Sequence, residues 1–95
     1  MMSRDADAPP VDSSPPGDAA DTFTLLSDET RVAIVRALAD APAEALGFSE
    51  LRSRVGVRDG GRFNYHLQKL CGSLVEKRTE GYALTAAGER AARLL

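Results

Sequence analysis

Residues 59–70 read Asp-Gly-Gly-Arg-Phe-Asn-Tyr-His-Leu-Gln-Lys-Leu, and this stretch limits the fold more than any other. Phe63, Leu67 and Leu70 recur at steps of four and three residues, which sets them on one stripe of a helix. Arg62, Asn64, Tyr65, Gln68 and Lys69 fall around the other side. Upstream, residues 49–55 form a second short helical segment, with Leu51 and Val55 one turn apart on its inner face. Gly56-Val57-Arg58 leaves only a tight connection between the two. The rest of the chain is organised to hold this pair of helices.

The apolar residues needed for that are unevenly spread. Residues 1–21 contain four of the five prolines and no Leu, Ile or Phe, with one basic residue against five acids, a net of −4. Such a segment has too little apolar surface to offset its ordering entropy, so residues 1–18 are expected to be a disordered acidic, Pro-rich tail. Residues 22–95 carry eleven basic and nine acidic side chains, a net of +2. The overall charge of −2 thus hides a mildly basic folded part, expected over residues 19–95. A core this small gains stability by pairing, so a homodimer is expected. The single cysteine, Cys71, excludes an intramolecular disulfide framework and fits a reducing interior. No apolar run is long enough to span a membrane. The N-terminus lacks the apolar core of a signal peptide, so the expected location is cytoplasmic.

Taken in order, residues 21–26 read as a short helix with Phe23, Leu25 and Leu26 available for packing. Ser27 or Asp28 caps the next helix, which runs to about Asp40 with Ile34, Val35 and Leu38 inward and Arg31 and Arg36 outward. Pro42 and Gly47 bound a loop in which Phe48 is a candidate one- or two-residue strand. Ser49 is the expected cap of the following helix and Asp59 of the one after, which ends at Cys71-Gly72. Residues 74–78 and 82–84 flank a glycine-containing turn and read as a hairpin with Lys77 and Arg78 near its tip. Thr85 caps a last helix over residues 86–95, with Ala87, Ala91 and Leu94 or Leu95 on its apolar face. The expected fold class is mainly α with a small β-hairpin.

Helix, glycine turn, and helix with one dry and one polar face is the pattern of a helix-turn-helix, and the hairpin makes it a winged one. Its expected partner is double-stranded DNA. Arg62, Asn64, Tyr65, Gln68 and Lys69 are side chains that can donate to phosphates or read base edges. Arg52 and Arg58 flank them and Lys77 and Arg78 lie on the wing, all expected at the DNA interface; Tyr65 suits sugar or phosphate, and Gly61 lies beside Arg62 where the helix begins. The plain alternative for these side chains is a solvated helix face. His66, one step off the apolar stripe, reads as a packed, hydrogen-bonded helix residue, and Cys71 as a small buried hydrophobe.

Three segments resemble the ArsR-type winged helix-turn-helix transcription regulators. Residues 25–38, Leu-Leu-Ser-Asp-Glu-Thr-Arg-Val-Ala-Ile-Val-Arg-Ala-Leu, are similar to the family's opening helix. Residues 63–70, Phe-Asn-Tyr-His-Leu-Gln-Lys-Leu, are similar to its recognition helix, and the Phe-Asn-Tyr-His-Leu run resembles its haloarchaeal branch. Residues 81–88, Gly-Tyr-Ala-Leu-Thr-Ala-Ala-Gly, are similar to the segment that follows the wing. The resemblance covers residues 21–95. It implies a homodimeric transcription regulator whose subunits join through residues 21–26 and the last helix, with Arg62 pairing with guanine, Asn64 or Gln68 with adenine, and Arg58, Lys77 and Arg78 with phosphates. The chain departs from the metal-sensing members, which resemble one another in a cysteine pair on the first helix of the motif. Here that helix reads Glu50-Leu51-Arg52-Ser53-Arg54. A lone Cys71 and a lone His66 do not make a metal site, so neither metal nor cofactor is expected.

No catalytic set is visible. There is one histidine, and Gly60-Gly61 lacks the following lysine and the preceding strand of a phosphate-binding loop. The chain is therefore not expected to be an enzyme. A second reading stands beside DNA binding: a winged-helix protein-interaction module without direct DNA contact. The small basic excess favours it, since DNA-binding domains usually carry more. The location of Arg52, Arg54, Arg58, Arg62, Lys69, Lys77 and Arg78 relative to Glu50, Asp59, Glu76 and Glu80 separates the two.

Overall fold

The computed structural model describes residues 18–95. Apart from Asp18, the tail expected over residues 1–18 lies outside the described residues. Five helices and one hairpin follow in order: α1 (Asp18–Leu25), α2 (Glu29–Asp40), α3 (Phe48–Val55), α4 (Gly60–Leu70), β1 (Val75–Arg78), β2 (Gly81–Leu84) and α5 (Ala86–Ala92). The fold is mainly helical with a small two-stranded antiparallel sheet. Its element order is consistent with a winged-helix-like arrangement.

The helix ends follow local chemistry. Asp28, in extended backbone, caps α2 by accepting from the amides of Thr30 and Arg31 at 2.8 and 3.4 Å. The helix stops at Ala41, which is held extended because proline follows it. Asp59 caps α4 by accepting from the Arg62 amide at 3.0 Å. Thr85 caps α5 by accepting from the Gly88 amide at 3.0 Å, and its hydroxyl donates to the Ser73 carbonyl at 2.6 Å. Gly56 and Gly72, which follow α3 and α4, both take positive φ, as expected of them. The expected cap at Ser49 is corrected. The cap falls two residues earlier, at Gly47 with no side-chain hydrogen bond, because Phe48 joins the helix and turns its ring edge-on to Phe63 with centroids 5.2 Å apart.

Helix α2 is the centre of the packing and touches α3, α4, α5 and β2. Its Ile34 and Val35 are fully buried with Leu51, Phe63, Leu67, Leu70 and Val75. Each such side chain contributes about 1.5–3 kcal/mol by leaving water. Arg36 is exposed as expected, but Arg31 does not point outward: it is half-buried and its Nε is enclosed without a partner among the described residues. The reason is its place on the first turn of α2, against the core.

The strands pair Val75 with Leu84 through to Arg78 with Gly81. A third, one-residue strand joins them, but at Leu46 and not at Phe48. Leu46 and Tyr82 exchange N–H···O bonds of 2.9 and 2.8 Å. Only glycine fits at 81, where φ is +140° and a Cβ would fall inside the Leu46 backbone. Gly88 meets the same demand on α5, where a Cβ would collide with the Leu74 carbonyl. That close approach seats α5 against the base of the hairpin.

The ends of the domain depart from expectation. Helix α5 stops at Ala92, so Leu94 and Leu95 lie beyond it, 85% and 37% exposed, while Ala91 is buried. Phe23 on α1 is 76% exposed, whereas Leu25 and Leu26 pack against the core. Phe23, Leu25, Leu26, Ala87, Leu94 and Leu95 line one apolar groove between α1 and α5. No helix among the described residues is long and apolar enough to cross a membrane.

Candidate nucleic-acid interface

Helix α4 separates two chemistries around its circumference. Phe63, Leu67 and Leu70 are fully buried and His66 nearly so, which fixes both the rotation and the depth of the helix. Gly61, Arg62, Asn64, Tyr65, Gln68 and Lys69 are consequently all exposed. The rigid inner stripe thus presents an ordered polar outer surface.

The outer side chains pair along the helix. Gln68 Nε2 donates to Asn64 Oδ1 at 3.3 Å, one turn apart. Lys69 Nζ lies 5.5 Å from the centroid of the Tyr65 ring, within cation–π range, and Tyr65 meets His66 edge-on at 5.2 Å. Arg62 has no ion-pair or hydrogen-bond partner for its guanidinium among the described residues.

The surrounding basic side chains divide into two groups. Arg58 is exposed beside the start of α4, and Lys77 is exposed on the wing with its Nζ 5.5 Å from the Tyr82 ring centroid. Arg52 is half-buried, and its Nη1 donates to the Arg58 carbonyl at 2.8 Å. It braces the α3–α4 connection. Arg54 is bound by Glu50 on the next turn at 2.9 Å. Arg78 donates through Nε to Glu76 at 2.7 Å and lies 3.9 Å from Glu44. The hydrogen bond and charge of Glu76 hold its guanidinium pKa above the ordinary value. Arg58, Arg62, Lys69 and Lys77 remain as cations without a carboxylate partner among the described residues.

Two groups behind the surface differ from expectation. His66 is packed, but its Nδ1 is buried without a hydrogen-bond partner among the described residues, 3.8 Å from Asp28 Oδ1. Burial raises the Asp28 carboxyl, but the Thr30 amide, the His66 ring and the Arg31 amide and charge outweigh it and leave the pKa below the ordinary value. Cys71 is half-buried, and burial pushes its thiol up more than the charge of Lys77 lowers it. A thiol held in that form is a poor redox sensor. Among the described residues no three His, Cys, Asp or Glu side chains gather as metal ligands.

The sequence reading did not single out the Asn64–Gln68 hydrogen bond, although its i,i+4 spacing signals it. The approach of Glu44 to Arg78 and of Asp28 to His66 has no local signal, because each joins elements distant in the chain.

A family model described as a domain of unknown function, DUF7347, matches residues 19–95. The chain belongs to the DUF7347 family. No match was found among curated proteins or among solved structures. The matched span of this DUF7347 domain takes in every element from α2 to α5, so the polar face of α4 and the hairpin are parts of one family unit.

Proposed function

We propose that this DUF7347 domain is a winged helix-turn-helix regulator that binds duplex DNA as a homodimer. The observation that carries the reading is α4. Three fully buried side chains anchor a helix whose exposed surface offers Arg62, Asn64, Tyr65, Gln68 and Lys69. These residue types donate to phosphates and read base edges in the major groove. Arg58 and Lys77 flank that surface as phosphate contacts, and the resemblance to ArsR-type regulators supports the same assignment. Two copies joined through the apolar α1–α5 groove would set their α4 helices in successive major grooves, about 34 Å apart on a roughly palindromic site. Function in transcription control, inside the cytoplasm and without a metal or cofactor, follows from this reading.

One observation favours the protein-interaction module. Glu50 and Glu76 bind Arg54 and Arg78, and Arg52 is used within the chain. The basic surface is therefore smaller than residue counts suggest, and long-range attraction to a polyanion is weaker.

Fluorescence anisotropy of a mixed-sequence duplex across a salt series decides between them. DNA binding predicts a linear fall of log K with log salt and a large loss of affinity for Arg62→Ala. Absence of binding at low salt by folded protein overturns the DNA reading in favour of protein interaction.

A further inference from the structure

We infer that Asn64 and Gln68 act together as one reader of adenine in the major groove. The inference rests on the DNA-binding reading and concerns which base the same surface selects. In the structure Gln68 Nε2 donates to Asn64 Oδ1. Asn64 Nδ2 keeps its hydrogens, and Gln68 Oε1 keeps its lone pairs. The pair therefore keeps one free donor and one free acceptor on two exposed, hydrogen-bonded residues of α4.

That combination does not depend on how the two amides are turned. If both were flipped, Asn64 Nδ2 would donate to Gln68 Oε1, leaving Asn64 Oδ1 as acceptor and Gln68 Nε2 as donor. One acceptor and one donor group remain free either way. Adenine shows the complementary set, an N7 acceptor and an N6 amino donor. Guanine shows two acceptors, N7 and O6, so the outward amide oxygen would meet O6 without a proton between them. Cytosine offers an amino donor alone, and thymine an acceptor and a methyl group. Only adenine satisfies both groups on one base.

The internal hydrogen bond also pre-orders two exposed side chains that otherwise lose rotamer freedom on binding.

The test uses the full chain and a duplex selected from a random library. Wild type is compared with Asn64→Ala, Gln68→Ala and the double variant. Alanine suits an exposed helix position, so these variants keep the fold. Each adenine of the selected half-site is replaced in turn by 7-deazaadenine, which lacks the N7 acceptor. The expected result is one adenine whose replacement weakens wild type by roughly five- to a hundredfold and leaves the double variant unchanged. The single variants should each lose most of that preference, because either alone breaks the donor–acceptor set. Specific binding with no such adenine overturns this inference and leaves the DNA reading intact. Failure of folded wild type to bind any duplex overturns both.

Discussion

His66 Nδ1 faces Asp28 Oδ1 across 3.8 Å, bringing α4 against the N-cap of α2. The distance is too long for a hydrogen bond, and the buried nitrogen has no other partner among the described residues. An unpartnered buried polar atom costs free energy that an apolar side chain of similar size avoids. His66→Leu should therefore unfold at the same or a higher urea concentration than wild type, by up to about 1 kcal/mol. A clear drop in the urea midpoint would mean that His66 holds a partner in solution.

Asp28 carries a pH dependence with a definite sign. Its carboxyl is lowered in the folded state, so it contributes stability above the unfolded carboxylate pKa of about 3.9. That contribution is lost as pH falls through the lower folded value. Asn retains a capping oxygen without the charge. Thermal unfolding followed by circular dichroism from neutral pH downward should show wild type losing more stability than Asp28→Asn on the acid side. Parallel curves would remove the charge from the account.

The wing residues should separate in the salt dependence of DNA binding. Lys77→Ala should reduce the slope of log K against log salt by about 0.9, the value of one phosphate contact. Arg78→Ala should change it far less, because Glu76 already binds that guanidinium at 2.7 Å. Equal effects from both would show that DNA displaces Glu76.

The groove between α1 and α5 predicts the oligomeric state. Phe23 and Leu94 are 76% and 85% exposed, so changing them to serine leaves the monomer core intact. Burial of either on dimerisation is worth on the order of 1.5–3 kcal/mol. Phe23→Ser and Leu94→Ser should each raise the dimer dissociation constant about tenfold or more, read by sedimentation equilibrium. A wild type that sediments as a monomer at the concentrations used for DNA binding would refute the homodimer.

What could be read from the sequence was local. The 63–67–70 spacing placed α4 and its exposed face, and Asp28, Asp59 and Thr85 announced three helix starts through the chemistry of their side chains. The errors lie where distant segments decide. Phe48 looked like a strand residue, yet Phe63 draws it into α3 and Leu46 takes the bridge. Nor does the sequence signal that a carbonyl on the next connection engages Arg52 or that two carboxylates engage Arg78, both expected at the DNA interface. Charge type is written in the sequence, whereas charge availability depends on what tertiary packing brings near.

The bridge between Leu46 and Tyr82 has a kinetic consequence. Most of this domain is made of helices whose hydrogen bonds close within one turn, and such chains fold quickly. The bridge instead joins the connection before α3 to the wing, across the whole of α3, α4 and β1. Its formation waits on loop closure over that span. Substitution of Gly81, which alone permits the approach, should therefore slow the closing step of folding while the helices still form at their usual rate.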